Sequence, residues 1–280
     1  MPNSDAGQIY RGNLDKLIAK VADERSFDLG QYRRQYLERR IAARLRSLGL
    51  HSYRQYADHL DADPGEYTRL IDALTINVTD FYRDPVVFDI FRDQIVPGML
   101  AEKTEAKHRI IKAWSAGCAT GEETYSITMS ILEGIRAQEG RFLLSVVGTD
   151  LDEQALQVAR AGVYDAAKLD HIPEEHQVRY TEAHGDTFEI RPEVRQHVKF
   201  RPLNLFSDKP IHGVDVLFCR NVFIYFSREQ QEAVLERFWP ALAPGGYLVL
   251  GRSEKLSKNA AQHLELVNGR ERIYRKPKHA

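Results

Sequence analysis

The feature that most constrains this fold is an alternation of short apolar runs and helical patterns after about residue 108. The apolar runs cover residues 110–114, 143–147, 214–218 and 247–250. Helical patterns lie between them, extending to about Arg136, over 153–161 and near 227–239. Strands that alternate with helices favour a mostly parallel sheet with helices on both faces. The sequence therefore predicts an α/β fold whose ligands lie beyond the carboxyl ends of the strands.

The first third of the chain is predicted to be helical. Apolar residues recur at helical spacing over 9–24, 31–48, 53–60 and 65–76. We therefore expect a small all-α domain at residues 1–85, followed by the α/β domain at residues 86–280. Between residues 164 and 199 the alternation lapses, and the turn His184-Gly185-Asp186 indicates a hairpin. A small β-subdomain is thus predicted to be inserted at about 165–200.

Composition excludes several classes of protein. Hydrophobic residues make up 43% of the chain and charged residues 28%, values that are ordinary for globular proteins. No run approaches the roughly 18 uncharged apolar residues of a membrane span, and the N-terminus lacks the apolar run of a secretory signal. We therefore expect a cytoplasmic protein without membrane insertion. The two cysteines provide neither a disulfide framework nor a zinc site. His171 and His176 resemble a metal pair, but Pro173 interrupts the helix that would align them, so no metal is expected.

Charge is distributed unevenly along the chain. The formal net charge is only −1, yet the helix predicted at 31–48 holds six arginines and a single acid, Glu38. The segment 58–80 that follows is rich in aspartate and glutamate. A run of charge is usually a solvated face, but six arginines exceed what solubility requires. We expect this helix to bind a negatively charged partner, with Arg33, Arg40 and Arg44 on one face.

The strongest chemical signal is the glycine loop between the first strand and its helix, Ser115-Ala-Gly117-Cys-Ala-Thr-Gly121-Glu122-Glu123. Glycine after a strand lets a ligand approach the backbone closely, which makes Gly117 a candidate contact. The phosphate-loop pattern requires a lysine that this segment lacks, and position 119 is alanine, so the dinucleotide pattern is also unmet. The loop therefore fits neither common phosphate motif.

Electrostatics narrows the ligand further. A pyrophosphate would lie at the helix N-terminus, where Glu122 and Glu123 would repel it. Paired carboxylates suit an ammonium group, and Asp150, at the end of the next strand, suits ribose hydroxyls. A ribose without phosphates and an ammonium group together describe S-adenosylmethionine. The alternative for the glutamates is that they only complement the helix dipole.

Several further motifs resemble those of one family, the bacterial chemotaxis receptor methyltransferases (CheR family). They are Asn77-Val-Thr79-Asp-Phe-Tyr-Arg83-Asp84, the glycine loop, Thr149-Asp150-Leu-Asp152, Asn204-Leu205 and Cys219-Arg220-Asn221-Val-Phe-Ile-Tyr225-Phe226. The likeness runs in family order over nearly the whole chain. It implies a Rossmann-like S-adenosylmethionine-dependent methyltransferase domain with a small inserted β-subdomain, preceded by a small all-α domain.

The resemblance also implies a reaction and the residues that serve it. The reaction is methyl transfer from S-adenosylmethionine to receptor glutamates, giving glutamyl methyl esters and S-adenosylhomocysteine as the product. A glutamate is already ionised at pH 7, since its pKa is about 4.3, so no strong general base is needed. Arg83 is then the predicted partner of the incoming carboxylate, and Tyr225 is predicted to shape the methyl pocket. The cofactor contacts implied by the family are Asn77, Thr79, Arg83, Glu123 (in preference to Glu122), Asp150, Asn204, Leu205, Arg220 and Asn221.

Partner recognition follows from the same resemblance. The N-terminal helical domain of this family is thought to contact the receptor, so glutamate-rich methylation helices are the expected partner of the arginine-rich helix. Members that tether to a receptor pentapeptide have a longer, glycine-richer hairpin loop than residues 182–187 here. We therefore expect recognition of receptors without that tether. Nothing in the sequence requires more than a monomer, so a monomer is the expected state.

Two other functions remain open from the sequence. The protein could methylate RNA, with the arginine-rich helix holding phosphates, although nucleic acid or an acidic nucleotide is the less favoured partner. It could also be a non-catalytic signalling protein that binds S-adenosylmethionine or S-adenosylhomocysteine. A dinucleotide oxidoreductase is the weakest alternative, because the glycine pattern is incomplete.

Overall fold

The computed structural model describes residues 14–25, 29–74, 79–138, 141–256 and 258–279. The chain forms two compact units, one of residues 1–76 and 225–231 and the other of residues 77–224 and 232–280. The sequence placed the boundary at residue 85 instead. Residues 79–85 group with the second unit because Phe81 and Tyr82 are buried in its hydrophobic core.

The first unit is helical over its described residues. On α2 the buried Leu37, Ile41 and Leu45 recur every four residues, which places them on one face of the helix. Helix α3 begins after Ser52, whose side chain accepts a hydrogen bond from the N–H of Gln55 at 3.2 Å. The helices are α1 (Leu14–Arg25), α2 (Arg34–Ser47), α3 (Tyr53–Ala62) and α4 (Gly65–Leu74). The expected small all-α domain is thereby confirmed.

The second unit alternates helices and strands, as predicted. Its helices are α5 (Pro85–Ile90), α6 (Val96–Glu105), α7 (Glu122–Arg136), α8 (Glu153–Ala161), α9 (Glu174–Tyr180), α10 (Pro192–Arg195) and α12 (Lys258–Ala261), together with most of α11 (Arg228–Ala241), whose first four residues group with the first unit. Its strands are β1 (Ile110–Ala116), β2 (Leu143–Asp150), β3 (Val163–Asp165), β4 (Thr181–His184), β5 (Thr187–Ile190), β6 (Val198–Pro202), β7 (Val214–Cys219), β8 (Leu242–Leu250), β9 (Glu265–Asn268) and β10 (Ile273–Arg275).

Within the described residues, seven strands form the main sheet in the order β6-β2-β1-β7-β8-β10-β9. The first five strands in this order are parallel to one another, whereas β10 is antiparallel to both β8 and β9. Because parallel strands end at one edge, the segments that follow β1, β2, β6, β7 and β8 all leave the sheet on the same side. This arrangement confirms the predicted, mostly parallel sheet and defines the edge at which a ligand would bind.

A second, small sheet interrupts the alternation at the predicted place. Its strands lie in the order β3-β5-β4 and are antiparallel. Strands β4 and β5 form a hairpin whose connection is only Gly185 and Asp186. Gly185 has a φ of +64°, the left-handed conformation that a two-residue hairpin turn requires.

Candidate active site

The glycine loop, residues 117–121, is fastened to the end of the neighbouring strand. The N–H groups of Gly117 and Cys118 both donate to the carbonyl oxygen of Thr149, at 2.8 and 3.0 Å. Gly117 has a φ of +77°, and a Cβ atom there would lie 2.4 Å from Cγ2 of Val222. Only glycine fits this position, because any side chain would collide with the segment that follows β7.

Asp150 links the loops that follow β1 and β2. Its Oδ2 accepts the N–H of Ala119 at 2.8 Å, and its Oδ1 accepts the N–H of Asp152 at 3.0 Å. Burial raises the pKa of Asp150, and these two N–H donors limit the rise. A carboxylate can accept about four hydrogen bonds, so each oxygen retains capacity for a further donor such as a ribose hydroxyl.

The adjacent acids Glu122 and Glu123 have different environments. Glu122 is fully buried, and its carboxylate binds Nζ of Lys168 at 2.5 Å and the hydroxyl of Thr120. Glu123 accepts the hydroxyl of Ser115 at 2.8 Å, and its side chain is 12% exposed. Glu122 is thus held by an ion pair within the unit, whereas Glu123 retains some accessible surface.

Arg220 joins Glu123 to the segment that carries Arg83. One Nη of Arg220 lies 2.5 Å from Oδ2 of Asp84, and the other lies 3.5 Å from Oε2 of Glu123. Burial raises the pKa of Glu123, and the positive charges of Arg220 and Arg83 limit the rise. The Arg220 side chain is only 2% exposed, and its Nε has no hydrogen-bond partner among the described residues. A carboxylate from a ligand would satisfy that buried donor.

The Arg83 segment, residues 79–85, lines an open groove. Asn77 falls within residues 75–78, outside the described part of the chain, so its predicted contact has no structural description. The carbonyl oxygen of Thr79 accepts Nζ of Lys168 at 3.3 Å. Asp170, His171, Ile172 and Pro173 line the groove together with Arg83 and its neighbours. Nδ1 of His171 lies 2.8 Å from Oδ2 of Asp80, also in this groove.

The remaining predicted cofactor contacts follow β6 and β7. The loop after β6 is attached to β2, because the N–H of Leu203 donates to the carbonyl oxygen of Asp150 at 3.0 Å. Half-buried Asn204 accepts the N–H of Phe206 at 2.9 Å through its Oδ1, and Leu205 is also half-buried. Asn221, after β7, has a φ of +62°. The sheet thus brings these residues to the edge that also carries the glycine loop and Asp150.

Glu254 is a site residue that the sequence analysis missed. Its Oε2 accepts the N–H groups of Gly251 at 2.6 Å and Asn221 at 3.1 Å, and its Oε1 accepts the N–H of Phe223 at 2.7 Å. Burial raises the pKa of Glu254, and these backbone donors limit the rise. Glu254 therefore holds the segment after β7 in place. An acid that follows a glycine just beyond an apolar strand was the signal that could have identified it.

Tyr225 groups with the helical unit and not with the unit that carries Arg83. Its ring centroid lies 4.9 Å from that of Tyr36 on α2, and its carbonyl oxygen accepts the N–H of Arg33 at 2.8 Å. Nε of Arg33 donates to the carbonyl oxygen of Phe226 at 2.8 Å. The segment 225–231 is thereby attached to the start of α2.

The three arginines predicted to bind a partner differ in their surroundings. Arg33 is exposed, and Arg40 is half-buried with its guanidinium 5.7 Å from the centroid of the Tyr36 ring. Arg44 donates from Nε and Nη2 to the carboxylate of the fully buried Glu66, at 2.9 and 2.6 Å. The charge of Arg44 is therefore compensated within its own unit. The prediction had taken Arg44 to be available to an acidic partner.

Three further features bear on the sequence predictions. In the described parts of the chain, no group of three or more histidine, cysteine, aspartate or glutamate residues is arranged to hold a metal ion. No helix in those same parts is long and apolar enough to cross a membrane. Both cysteines, Cys118 and Cys219, are buried free thiols.

Comparison with known proteins connects this architecture to a family. A profile described as the CheR methyltransferase all-alpha domain matches residues 12–75, and one described as the CheR methyltransferase SAM binding domain matches residues 77–273. The chain is 36% identical to chemotaxis protein methyltransferase 2 of Pseudomonas aeruginosa, covering 81% of this chain and 80% of the relative. It is 35% identical to the chemotaxis protein methyltransferase of Escherichia coli, covering 85% of this chain and 80% of that protein.

Similarity to solved structures is much weaker. A TehB-like SAM-dependent methyltransferase from Corynebacterium glutamicum is 16% identical, with a TM-score of 0.37 over 64% of this chain and 87% of that one. The assignment rests on the sequence profiles and relatives, which span both units. The chain belongs to the CheR family of S-adenosylmethionine-dependent methyltransferases.

Proposed function

We propose that this protein transfers the methyl group of S-adenosylmethionine to glutamate side chains of chemoreceptors, forming glutamyl methyl esters that adapt chemosensory signalling. The observation that carries the proposal is the chain of contacts from Asp84 through Arg220 to Glu123 at the carboxyl edge of the sheet. This chain of contacts links Glu123, a buried acid suited to a cationic cofactor, with the segment that carries Arg83, which suits an anionic acceptor. The names of the relatives from Pseudomonas aeruginosa and Escherichia coli support the chemotactic substrate.

The residues of the edge fit this cofactor chemically. S-adenosylmethionine supplies, when bound, an electrophilic methyl group on a positively charged sulfur. Glu123 would bind the ammonium group, the unpartnered Nε of Arg220 would bind the carboxylate, and Asp150 would accept the ribose hydroxyls. The backbone at Gly117 lets the ligand lie close to the loop. We also propose Asn77, Thr79, Arg83, Asn204, Leu205 and Asn221 as contacts, with no metal required.

The acceptor needs orientation more than activation. A glutamate carboxylate is ionised at neutral pH and is already the nucleophile. Its oxygen forms the new bond to carbon while the bond from carbon to sulfur breaks, so no proton is transferred. Arg83 would hold the acceptor by charge-assisted hydrogen bonds, and Tyr225 would shape the methyl pocket. Rate enhancement then comes chiefly from holding the two reactants in line.

Receptor recognition is proposed for α2. Glutamate-rich methylation helices would meet Arg33, just before α2, and Arg40 on it, since among the described residues neither guanidinium forms an ion pair with an acid. Arg44 is the least favoured of the three predicted receptor contacts, because the carboxylate of Glu66 already accepts hydrogen bonds from two of its nitrogens. An Arg40→Ala variant should raise KM for the receptor, while the affinity for S-adenosylhomocysteine stays unchanged.

Tether-independent recognition is the second element of the proposal. The two-residue connection between β4 and β5 offers little surface beyond the hairpin itself. Calorimetry with a receptor C-terminal pentapeptide should therefore detect no binding at micromolar concentrations. Micromolar binding of that peptide would overturn this part of the proposal without affecting the methyl-transfer reaction.

Methyl transfer itself is tested with labelled S-adenosylmethionine and purified receptor cytoplasmic fragments. Label should enter the receptor, be released by mild base as expected for an ester, and disappear when the acceptor glutamates are replaced by alanine. Arg83→Ala should abolish transfer while keeping part of the affinity for S-adenosylhomocysteine, since Arg83 is only one of the proposed cofactor contacts. Arg270→Ala, whose side chain is 85% exposed, is the matched control. Base-stable label, or label in RNA, would refute the proposed substrate. Cofactor binding without any transfer would indicate a signalling protein.

A further inference from the structure

The backbone on either side of Arg83 is strained. Tyr82 has a φ of +49° and Asp84 a φ of +60°, so two residues with a Cβ atom adopt the left-handed conformation within three positions. This conformation is disfavoured for residues with a Cβ atom, less so for an aspartate such as Asp84 than for an aromatic residue such as Tyr82. Such strain persists only where surrounding contacts fix it, and it concentrates at functional sites. The contacts that fix this segment therefore decide where the guanidinium of Arg83 lies.

One anchor lies on the Asp84 side and belongs to the site already described. Asp84 binds the buried guanidinium of Arg220 at 2.5 Å. The anchor on the Tyr82 side is separate from the proposed cofactor contacts. The N–H of Tyr82 donates to Oγ of Ser126 on α7 at 3.0 Å. The hydroxyl of Ser126 donates in turn to the carbonyl oxygen of Glu122 at 2.7 Å, which leaves its lone pairs free to accept from Tyr82.

The side chain of Tyr82 adds a second contact to this anchor. Its hydroxyl lies 2.5 Å from Nδ1 of His176, and the two residues are only 5% and 4% exposed. The Tyr82 ring also packs edge-on against Phe88, with centroids 5.1 Å apart. A buried polar pair of this kind is costly to break, because each partner would be left unsatisfied.

His176 is itself presented by a fixed helix. It lies on α9, and Arg179 and Tyr180 of the same helix both bind Oε1 of Glu133 on α7, each at 2.5 Å. Helix α7 also supplies Ser126 to the Tyr82 anchor. Burial lowers the pKa of His176, which keeps the imidazole neutral inside the unit. Two helices thus hold Tyr82 from two directions.

We infer that Tyr82 and His176 are positioning residues for methyl transfer, which hold the Arg83 segment in its left-handed conformation so that Arg83 meets the acceptor carboxylate. The inference rests on the proposed role of Arg83 in the function above. A purely structural pair would contribute to the stability of the unit and to nothing else. The two interpretations differ in what happens when both partners are removed together.

The experiment compares Tyr82→Phe, His176→Leu, the double variant and His176→Asn in the full chain. Tyr82→Phe should lower kcat by about tenfold or more, since small displacements of a catalytic group have effects of that size. The dissociation constant for S-adenosylhomocysteine should change by less than about threefold, because Arg83 is only one of the proposed cofactor contacts. His176→Asn, which keeps a polar atom near the position of Nδ1, should recover most of the activity that His176→Leu loses.

The double variant separates positioning from stability. Removing both polar partners leaves no unsatisfied group, so its melting temperature should exceed that of His176→Leu. Its kcat should nevertheless remain as low as that of Tyr82→Phe, because nothing then fixes the segment. Tyr56→Phe is the matched control, since it removes a buried phenol bond within the helical unit and none of the contacts of Tyr82 or His176. Recovery of kcat in step with the melting temperature would overturn the inference, as would full activity of Tyr82→Phe.

Amide hydrogen exchange provides a readout that does not depend on the receptor. Exchange of the Tyr82 N–H should accelerate by at least about tenfold in the double variant, because opening of the segment then no longer requires the phenol contact to break. This acceleration should exceed any change at the amides of β1, which report the stability of the whole unit. Unchanged exchange at Tyr82 would refute the anchor directly. If the wild-type protein methylates no receptor, the proposed function fails, whereas the exchange data still test whether this pair fixes the segment.

Discussion

Replacing Gly117 by alanine tests whether the glycine loop is the cofactor site. Two costs arise in the structure. The φ of +77° places a Cβ-bearing residue in the left-handed region, which costs about 1–2 kcal/mol. The new Cβ would also lie 2.4 Å from Cγ2 of Val222, and overpacking of this kind costs about 1–3 kcal/mol. We therefore expect the native loop conformation to lose roughly 2–5 kcal/mol in Gly117→Ala.

Two further variants separate these costs. Gly213 has a φ of +69°, and a Cβ there would meet nothing within 4 Å, so Gly213→Ala carries only the backbone cost. The double variant Gly117→Ala/Val222→Ala removes the collision and keeps the backbone cost, with Val222→Ala alone as its baseline. It should recover roughly 1–3 kcal/mol relative to Gly117→Ala, the share assigned to overpacking.

The assay is calorimetric titration with S-adenosylhomocysteine, combined with thermal unfolding followed by circular dichroism. Gly117→Ala should weaken binding by at least about tenfold, equivalent to about 1.4 kcal/mol of the loop's cost. Gly213→Ala should bind normally and unfold a few degrees lower, since each kcal/mol lowers the melting temperature by roughly 2–4 °C. Wild-type affinity in a folded Gly117→Ala protein would refute the placement of the cofactor at this loop. Failure of the double variant to improve binding would refute the collision as the cause.

Three other predictions follow from buried charges. Because Glu66 is fully buried and Arg44 is 22% exposed, Glu66→Gln should cost roughly 3 kcal/mol, the low end for a broken buried pair. Hydrogen bonds lower the pKa of Glu66 despite its burial. The stability that the Glu66 carboxylate contributes is therefore present above the ordinary pKa of a glutamate and is lost as the pH falls through the lowered pKa of the folded state. Acid denaturation of the wild-type protein and of Glu66→Gln measures this loss. Burial raises the pKa of Glu123, and an ammonium ligand needs the ionised carboxylate. As the pH is lowered, the affinity for S-adenosylhomocysteine should therefore begin to fall at a higher pH than it would for a solvated glutamate. The fall should be at most about tenfold per pH unit. Calorimetry at several pH values should show a flatter profile in Glu123→Gln. Asp84→Asn leaves the buried Arg220 with less compensation and should weaken cofactor binding about tenfold, which an unchanged dissociation constant would contradict.

The central strands were predictable because parallel strands buried on both faces are continuous apolar runs. The run at 214–218 lies within the fully buried β7, and the run at 143–147 lies within β2. Strand β2 extends to Asp150 because Gly148, Thr149 and Asp150 remain paired with β6, although their small and polar side chains indicate a loop. A residue's place in a ladder depends on its backbone neighbours, which a single strand's composition does not specify.

The strand at one edge of the main sheet and the last two strands at its other end were not predicted, for a related physical reason. Strand β6 is Val-Lys-Phe-Arg-Pro and lies at one edge of the main sheet, where charged side chains and proline prevent pairing with other chains. Those residues make the strand resemble a solvated loop. Strands β9 and β10 contain only four and three residues, too few for a period of two to be recognised.

Long-range ion pairs were equally inaccessible to pattern analysis. The prediction placed Arg44 on an exposed face with Arg33 and Arg40, and the spacing of four and seven residues does place them on one side of the helix. Only the fold shows that α4 brings Glu66 to Arg44. Glu254 was missed for the same reason, since the N–H groups it accepts include those of Asn221 and Phe223, more than 30 residues away in sequence.

The adjacent acids Glu122 and Glu123 have the same side chain, but their positions on α7 give the two carboxylates different partners. Successive residues of an α-helix point about 100° apart, so two neighbouring carboxylates cannot serve the same ligand equally. Glu122 turns toward Lys168 and Thr120, and its charge is compensated where no solvent reaches it. Glu123 turns toward Ser115 at the end of β1 and toward Arg220 after β7, that is, toward the edge where parallel strands bind ligands. The sequence interpretation weighed the pair between helix-dipole stabilisation and ligand binding. The geometry gives Glu122 an ion pair within the unit, and it turns Glu123 toward the edge at which we propose that the ligand binds.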